Sequence, residues 1–209
     1  FLDETLRDCL QNPSVADPNI ESKLRLLHLM AKVGIHVADL GLPGSSERAF
    51  DDVLRMCQEI VAHKLPIKVS CAGRTVPADI TPMIEISQRA GIEVEIYTFI
   101  GSSPIRQYAE DWDIDLILQR SADAIDIGVK AGLPVAYVTE DTTRSRPEVL
   151  SRLFKMAIAH GASRLCLCDT VGHATPDGVR NLIDFAKSII AGSGAKVGID
   201  WHGHNDRGL

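Results

Sequence analysis

The chain has 209 residues, of which 45% are hydrophobic and 24% charged, and its mean hydropathy is +0.04. This composition is typical of a globular protein with one sizeable core, and no apolar run approaches the length of a membrane span. A formal net charge of −6 argues against nucleic acid or an anionic membrane as the main partner.

Seven short runs rich in Val, Ile or Leu predict β-strands along the whole chain. They cover residues 1–6, 36–42, 67–72, 94–100, 135–139, 164–168 and 197–201.

Cysteine usage adds a prediction about the compartment, because five cysteines without Cys-x-x-Cys spacing indicate reduced thiols in the cytoplasm. These cysteines are Cys9, Cys57, Cys71, Cys166 and Cys168.

Helices are predicted between the strands from apolar side chains at helical spacing. The clearest stripes are Leu24, Leu27, Met30 and Ala31 in one helix, and Leu150, Leu153, Phe154, Ala157 and Ile158 in another. A third helix has Thr175 as N-cap and Pro176 at its first position, with Gly192 and Gly194 beyond its end. Its predicted buried face is Val179, Leu182, Ile183, Ala186 and Ile190.

Strand and helix therefore alternate with a period of roughly 30 residues, which predicts a parallel α/β fold. A doubly wound dinucleotide-binding sheet would carry Gly-x-Gly-x-x-Gly after its first strand. Residues 5–9 read Thr-Leu-Arg-Asp-Cys at that place, so a (β/α)₈ TIM barrel is favoured. We expect a single catalytic barrel domain over residues 1–209, with an eighth strand and two helices following Leu209.

Polar residues collect where the predicted strands end, and in a TIM barrel these ends form the catalytic face. They are Arg7, Asp8, Asp39, Arg74, Ser102, Ser103, Glu140, Asp141, Asp169, Thr170, His202 and His204. The i, i+2 spacing of His202 and His204 sends both imidazoles to one face of a strand, where they could hold a divalent cation with Asp8. A solvated Arg-Asp pair and a hydrogen-bonded histidine pair are the alternatives.

Five motifs in order carry a resemblance to a known family. They occupy residues 3–11 (DETLRDCLQ), 40–43 (LGLP), 98–104 (TFIGSSP), 169–172 (DTVG) and 202–206 (HGHND). Together they resemble the isopropylmalate synthase and homocitrate synthase family. That family belongs to a wider group of metal-dependent barrels that also contains hydroxymethylglutaryl-CoA lyase.

The resemblance implies an acyltransferase of amino-acid biosynthesis that condenses acetyl-CoA with a 2-oxo acid and then hydrolyses the thioester. Asp8, His202 and His204 would bind Zn²⁺, Mn²⁺ or Mg²⁺, a choice that the ligand set leaves open. The resemblance also implies a homodimer that acts on small molecules, without nucleic acid or membrane partners.

Catalytic roles would fall to Arg7, as stabiliser of developing negative charge, and to Glu140 and then Asp39 in the proton-transfer step. The predicted substrate-binding residues are Thr170, Tyr97, Arg74 and Gln11. The alternatives without a functional role are a solvated loop for Glu140, a helix-capping turn for Thr170 and core packing for Tyr97.

Four positions depart from the family pattern. Cys9 replaces a glycine, so a backbone with positive φ is not expected there. Asp39 stands where glutamate is usual. Val138 and Cys168 replace serine and proline near the 2-oxo acid, which puts the substrate in question.

Two other barrel functions remain as alternatives, a carbon–carbon lyase acting on a hydroxyacyl-CoA and a barrel without turnover that serves as a binding module. Residues 10–12 (Leu-Gln-Asn) echo the lyase branch. A biotin-dependent carboxyltransferase is disfavoured, because no predicted strand end presents the lysine that such barrels use as a metal ligand.

Overall fold

The computed structural model describes residues 1–205, so Asp206 of the last motif lies outside the described part. The chain divides into two compact units, Phe1–Tyr97 and Thr98–Leu209. Strand β4, Val94–Gly101, begins in the first unit and ends in the second.

The first unit alternates short parallel strands with helices. Its elements are β1 (Leu2–Asp3), a 3₁₀ turn (Cys9–Gln11), α1 (Ile20–Val33), β2 (Val37–Asp39), α2 (Glu47–His63), β3 (Lys68–Arg74) and α3 (Pro77–Ala90). Val37 of β2 lies opposite both Leu2 of β1 and Lys68 of β3, and both strand pairs are parallel. Helices α1, α2 and α3 contribute buried side chains such as Leu27, Met56 and Met83 to the core of this unit.

The second unit repeats the pattern. Its elements are α4 (Pro104–Glu110), α5 (Ile114–Lys130), β5 (Val135–Glu140), a 3₁₀ turn (Thr142–Arg144), α6 (Pro147–Ala159), β6 (Arg164–Asp169), α7 (Pro176–Ser193) and β7 (Gly198–Gly203). Strand β6 pairs in parallel with β5 and β7, and its Cys168 lies opposite His202 of β7. Tyr137 and Phe154 are fully buried in this unit's core.

The described residues contain seven strands connected by seven α-helices, two of which, α4 and α5, lie between β4 and β5. The fold is a partial (β/α)₈ barrel. The predicted fold class is therefore confirmed. None of the helices in residues 1–205 has the length and apolar character needed to cross a membrane. Cys57, Cys71, Cys166 and Cys168 are buried, whereas Cys9 is exposed.

The first strand is shorter than predicted, because a turn competes with it. The side-chain Oδ1 of Asp3 accepts the N–H of Thr5 at 2.9 Å. The carbonyl of Glu4 accepts the N–H groups of Arg7 and Cys9 at 3.1 and 3.3 Å. Strand pairing therefore ends at Asp3, and Arg7 lies in a turn.

Helix α7 begins as predicted and ends later. The Thr175 side chain accepts the N–H of Gly178, and Pro176 is the first helical residue. The helix runs through Gly192 to Ser193, and Gly194 caps it with φ 69°. Ala186 is buried as predicted, and Ile189 is the other buried residue of this helix. The remaining members of the predicted buried face are only half-buried, namely Val179, Leu182, Ile183 and Ile190.

Candidate functional site

Arg7 lies at the centre of a cluster of carboxylates in the first unit. Its Nη2 is 2.5 Å from Oε2 of Glu4, its Nη1 is 2.9 Å from Oδ1 of Asp8, and its Nε is 3.4 Å from Oδ2 of Asp39. Its side chain is 15% exposed and that of Asp39 is 1% exposed. Arg7, Asp8 and Asp39, three of the residues singled out from the sequence, are thus brought together.

The buried carboxyl of Asp39 has a strongly altered acidity. Burial and the nearby charge of Glu4 raise its pKa to about 8, although Arg7 and the N–H of Gly41 oppose the shift. That N–H donates to Oδ1 of Asp39 at 3.1 Å.

Burial alone would lower the pKa of Arg7, but the charges of Asp39, Glu4 and Asp8 raise it. The guanidinium thus remains a permanent positive charge.

Gln11 and Arg7 line the same cavity of about 250 Å³. Its wall also includes Leu10, Leu40 and Lys23. The Lys23 ammonium is 2.8 Å from both Asp17 and Asp52.

Arg74 forms an ion pair with Asp79, whereas Tyr97 is buried. The guanidinium of Arg74 donates to both carboxylate oxygens of Asp79 at 2.8 and 2.9 Å, and its backbone N–H donates to Oδ2. Burial raises the pKa of Asp79, but these bonds from Arg74 outweigh it and the net pKa is lowered. Tyr97 lies on β4 and is 7% exposed.

Glu140 lies at the end of β5 in the second unit. Its carbonyl accepts the N–H and the hydroxyl of Ser102, both at 3.1 Å. Its carboxylate is 31% exposed and its Oε1 lies 3.7 Å from Nε of Arg106. The main chain of Glu140 is therefore fixed while its carboxylate reaches solvent.

The loops after β5 and β6 are joined by hydrogen bonds. The hydroxyl of Thr170 accepts the N–H of Asp141 at 2.9 Å. Asp141 has φ 62° and accepts two bonds of 2.7 Å from Arg144. Thr143 donates to Asp169 at 3.0 Å. Thr170 is thus held in a defined position beside the end of β5.

His202 and His204 lie together at the end of β7. Their ring centroids are 5.3 Å apart with an interplanar angle of 76°. Both residues are half-buried, and the N–H of His204 donates to the carbonyl of Asp169 at 3.3 Å. The strand spacing therefore brings the two imidazoles side by side.

Several residues of these networks were not singled out from the sequence, notably Glu4 and Asp79. Glu4 carried a usable signal, since it precedes Arg7 by three residues within one turn. Asp79 carried none, because its link to Arg74 depends on how α3 meets β3. Among the described residues, positive φ occurs only at Lys64, Asp111 and Asp141 besides glycines, so the expectation for Cys9 is confirmed.

The matched family, HMGL-like, covers residues 1–209, and the chain belongs to it. Curated relatives named 2-isopropylmalate synthase are 31% identical in Nitratidesulfovibrio vulgaris, 35% in Heliobacterium modesticaldum and 32% in Sulfolobus acidocaldarius. Each match covers 100% of this chain, but only 40%, 40% and 51% of the relative. The chain thus spans about half or less of these relatives' length.

Solved structures of HMG-CoA lyases share the fold. The enzyme from Brucella melitensis has a TM-score of 0.73 at 18% identity, over 98% of this chain and 71% of that one. The enzyme from Pseudomonas aeruginosa has a TM-score of 0.74 at 16% identity, over 100% and 68%. The predicted family resemblance is therefore confirmed, and at these identities the likeness to lyases concerns the fold alone.

Proposed function

We propose that the protein is an acyltransferase that condenses acetyl-CoA with a 2-oxo acid and releases CoA by thioester hydrolysis. The observation that carries the proposal is the largely buried Arg7, held by Glu4, Asp8 and Asp39 immediately after β1. A buried guanidinium of fixed direction is suited to stabilise an oxyanion. Family membership and relatives named 2-isopropylmalate synthase support the choice of reaction.

The residues proposed to hold a divalent metal are Asp8, His202 and His204. One carboxylate and two imidazoles suit Zn²⁺, Mn²⁺ or Mg²⁺ and leave positions for substrate oxygens. The charge balance around Asp8 fits as well, because carboxylates outnumber the single Arg7 cation in that cluster. A metal bound there would supply Lewis-acid polarisation of the keto group.

The chain's own residues would then handle charge and protons. Glu140, with its carboxylate open to solvent, is proposed to accept the proton from the α-carbon of acetyl-CoA. The new carbon–carbon bond joins that carbon to the keto carbon, and Arg7 stabilises the negative charge that builds on oxygen. Asp39, whose pKa is raised by burial, is proposed to return a proton to that oxygen. Water then cleaves the thioester and CoA leaves.

Substrate binding is proposed for Thr170, Tyr97, Arg74 and Gln11. Thr170 is the best defined of them, because its oxygen already accepts the Asp141 N–H and its hydroxyl hydrogen can donate to the substrate carboxylate. Gln11 shares a cavity with Arg7. The active form is proposed to be a homodimer.

The test is release of free CoA from acetyl-CoA by the full-length protein, across a panel of 2-oxo acids, with and without added metal. Metal-dependent CoA release with one of them is expected. Cleavage of hydroxymethylglutaryl-CoA without any condensation would replace the synthase proposal by the lyase alternative. Absence of both reactions would favour a binding module.

A further inference from the structure

A second group of side chains of the kinds that bind metal ions lies on two helices of the first unit. It consists of His28 on α1 with Glu59 and His63 on α2. Nε2 of His28 is 2.8 Å from Oε1 of Glu59, and Nε2 of His63 is 3.2 Å from the same oxygen. The two rings are 5.1 Å apart at 78°. Two imidazoles and a carboxylate thus converge on one point.

Helix geometry explains why these side chains meet. Glu59 and His63 are separated by four residues, so both project from one face of α2. Helix α1 places His28 against that face, next to buried Leu27. The three donors are therefore supported by two helices rather than by a loop.

We propose that His28, Glu59 and His63 bind one divalent metal ion of the zinc class. Their ligand atoms all lie within 4.8 Å of one another. Bonds of about 2.0–2.1 Å around a tetrahedral ion place its ligand atoms roughly 3.3 Å apart. The separations of the two imidazole nitrogens from the Glu59 oxygen, 2.8 and 3.2 Å, are both slightly shorter than this value, so small outward shifts of the side chains accommodate the ion.

The exposure of the three side chains also suits an ion entering from solvent. The side chains of His28, Glu59 and His63 are 36%, 18% and 56% exposed, which leaves room for water as a fourth ligand. The positive charge of Arg55 acts on Glu59 and opposes the binding of a cation.

The competing explanation is an ordinary histidine–carboxylate hydrogen bond. The chain offers a matched example, since Nδ1 of His160 lies 2.7 Å from Oδ1 of Asp126. That pair belongs to neither of the three-membered groups of metal-binding side chains found in the described residues. His160→Ala therefore removes a comparable surface pair without removing a proposed ligand.

The experiment measures zinc stoichiometry and affinity by equilibrium dialysis of the untagged protein, in wild type, in a His28→Ala/His63→Ala variant and in His160→Ala. We expect the double variant to bind one zinc equivalent fewer than wild type, and His160→Ala to match wild type. Because this is a difference between variants, it holds whether or not Asp8, His202 and His204 bind metal. Equal stoichiometry and affinity in all three proteins would overturn the proposal.

Glu59→Gln provides a second variant that keeps the side-chain volume and removes the charge. Loss of a supporting partner of a metal ligand already costs 10–100-fold in affinity. We therefore expect Glu59→Gln to weaken zinc binding at this site by at least about tenfold, with an unchanged circular dichroism spectrum. Zinc should also raise the Tm of wild type more than that of the double variant. Equal zinc affinity in Glu59→Gln and wild type, or equal Tm shifts, would contradict a site between these helices.

Discussion

Arg7 is bound by three carboxylates in three different directions, which a planar guanidinium allows and an ammonium does not. Glu4, Asp8 and Asp39 fix its orientation. Their charges also keep it protonated despite burial. The site therefore presents a positive charge that does not have to reorganise when negative charge appears on the substrate.

This arrangement predicts the effect of Arg7→Ala in the full-length enzyme. Metal binding and 2-oxo acid binding should remain close to wild type, whereas turnover should fall by roughly 10²–10³, as for loss of one oxyanion stabiliser. Measured kcat, KM and metal content would separate these effects. Arg7→Lys keeps the positive charge but loses the planar guanidinium, so its kcat should lie between those of wild type and Arg7→Ala. Parallel loss of metal and turnover in Arg7→Ala would show that Arg7 supports the ligands instead.

Asp39 predicts a pH dependence of stability. Its pKa rises from 3.8 to about 8 on folding, so the folded state holds a proton that the unfolded state releases. The contribution of Asp39 is fully present below about pH 4 and is lost as pH rises through about 8. Asp39→Asn mimics the protonated form. Between pH 5 and 8.5, with chelator present, the free energy of unfolding measured in urea should fall more for wild type than for Asp39→Asn. Parallel profiles would contradict the raised pKa.

At the scale of elements, two glycines allow α3 to approach the strand ends closely. A Cβ at Gly44 would lie 2.7 Å from Cα of Asp79, and one at Gly73 would lie 2.5 Å from Cε of Met83. The loop after β2 and the end of β3 are thus packed against the first turns of α3. This packing places Asp79 where it binds Arg74.

Gly44→Ala should destabilise the protein, because its Cβ would meet backbone rather than a movable side chain. Overpacking of this kind costs about 1–3 kcal/mol, and each kcal/mol lowers Tm by about 2–4 °C at this chain size. Gly192→Ala is the matched control. It lies inside α7 with no atom within 4 Å of an added Cβ, and should be neutral or stabilising by up to about 1 kcal/mol. Equal melting temperatures for the two variants would refute the close approach.

The elements that could be predicted from sequence are those governed by local chemistry. Strand β6 and the Thr175 cap of α7 follow from side-chain periodicity and capping. The early end of β1 and the Arg74–Asp79 pair depend on tertiary placement, which periodicity does not report. The same division holds for the site, where motifs singled out Arg7 as a candidate and the fold determined the partners that Arg7 has.

At the scale of the whole molecule, two groups of possible metal ligands differ in position. His202 and His204 lie at the end of β7, in the region where barrel enzymes carry out their chemistry. The His28 group lies on the helices α1 and α2. Only the first group is proposed to act in turnover, so the two are distinguishable by activity as well as by binding.

The last prediction uses this difference. A His202→Ala/His204→Ala variant of the full-length protein should lose one equivalent of divalent metal and its CoA release, because two of the three proposed ligands are gone. Its circular dichroism spectrum should be retained, since both rings are only half-buried. His160→Ala, a surface histidine at the end of α6, should keep both metal and turnover. Unchanged metal content in the double variant would remove the basis for a metal-assisted condensation. Lost metal with CoA release at the wild-type rate would leave a metal site that takes no part in the reaction.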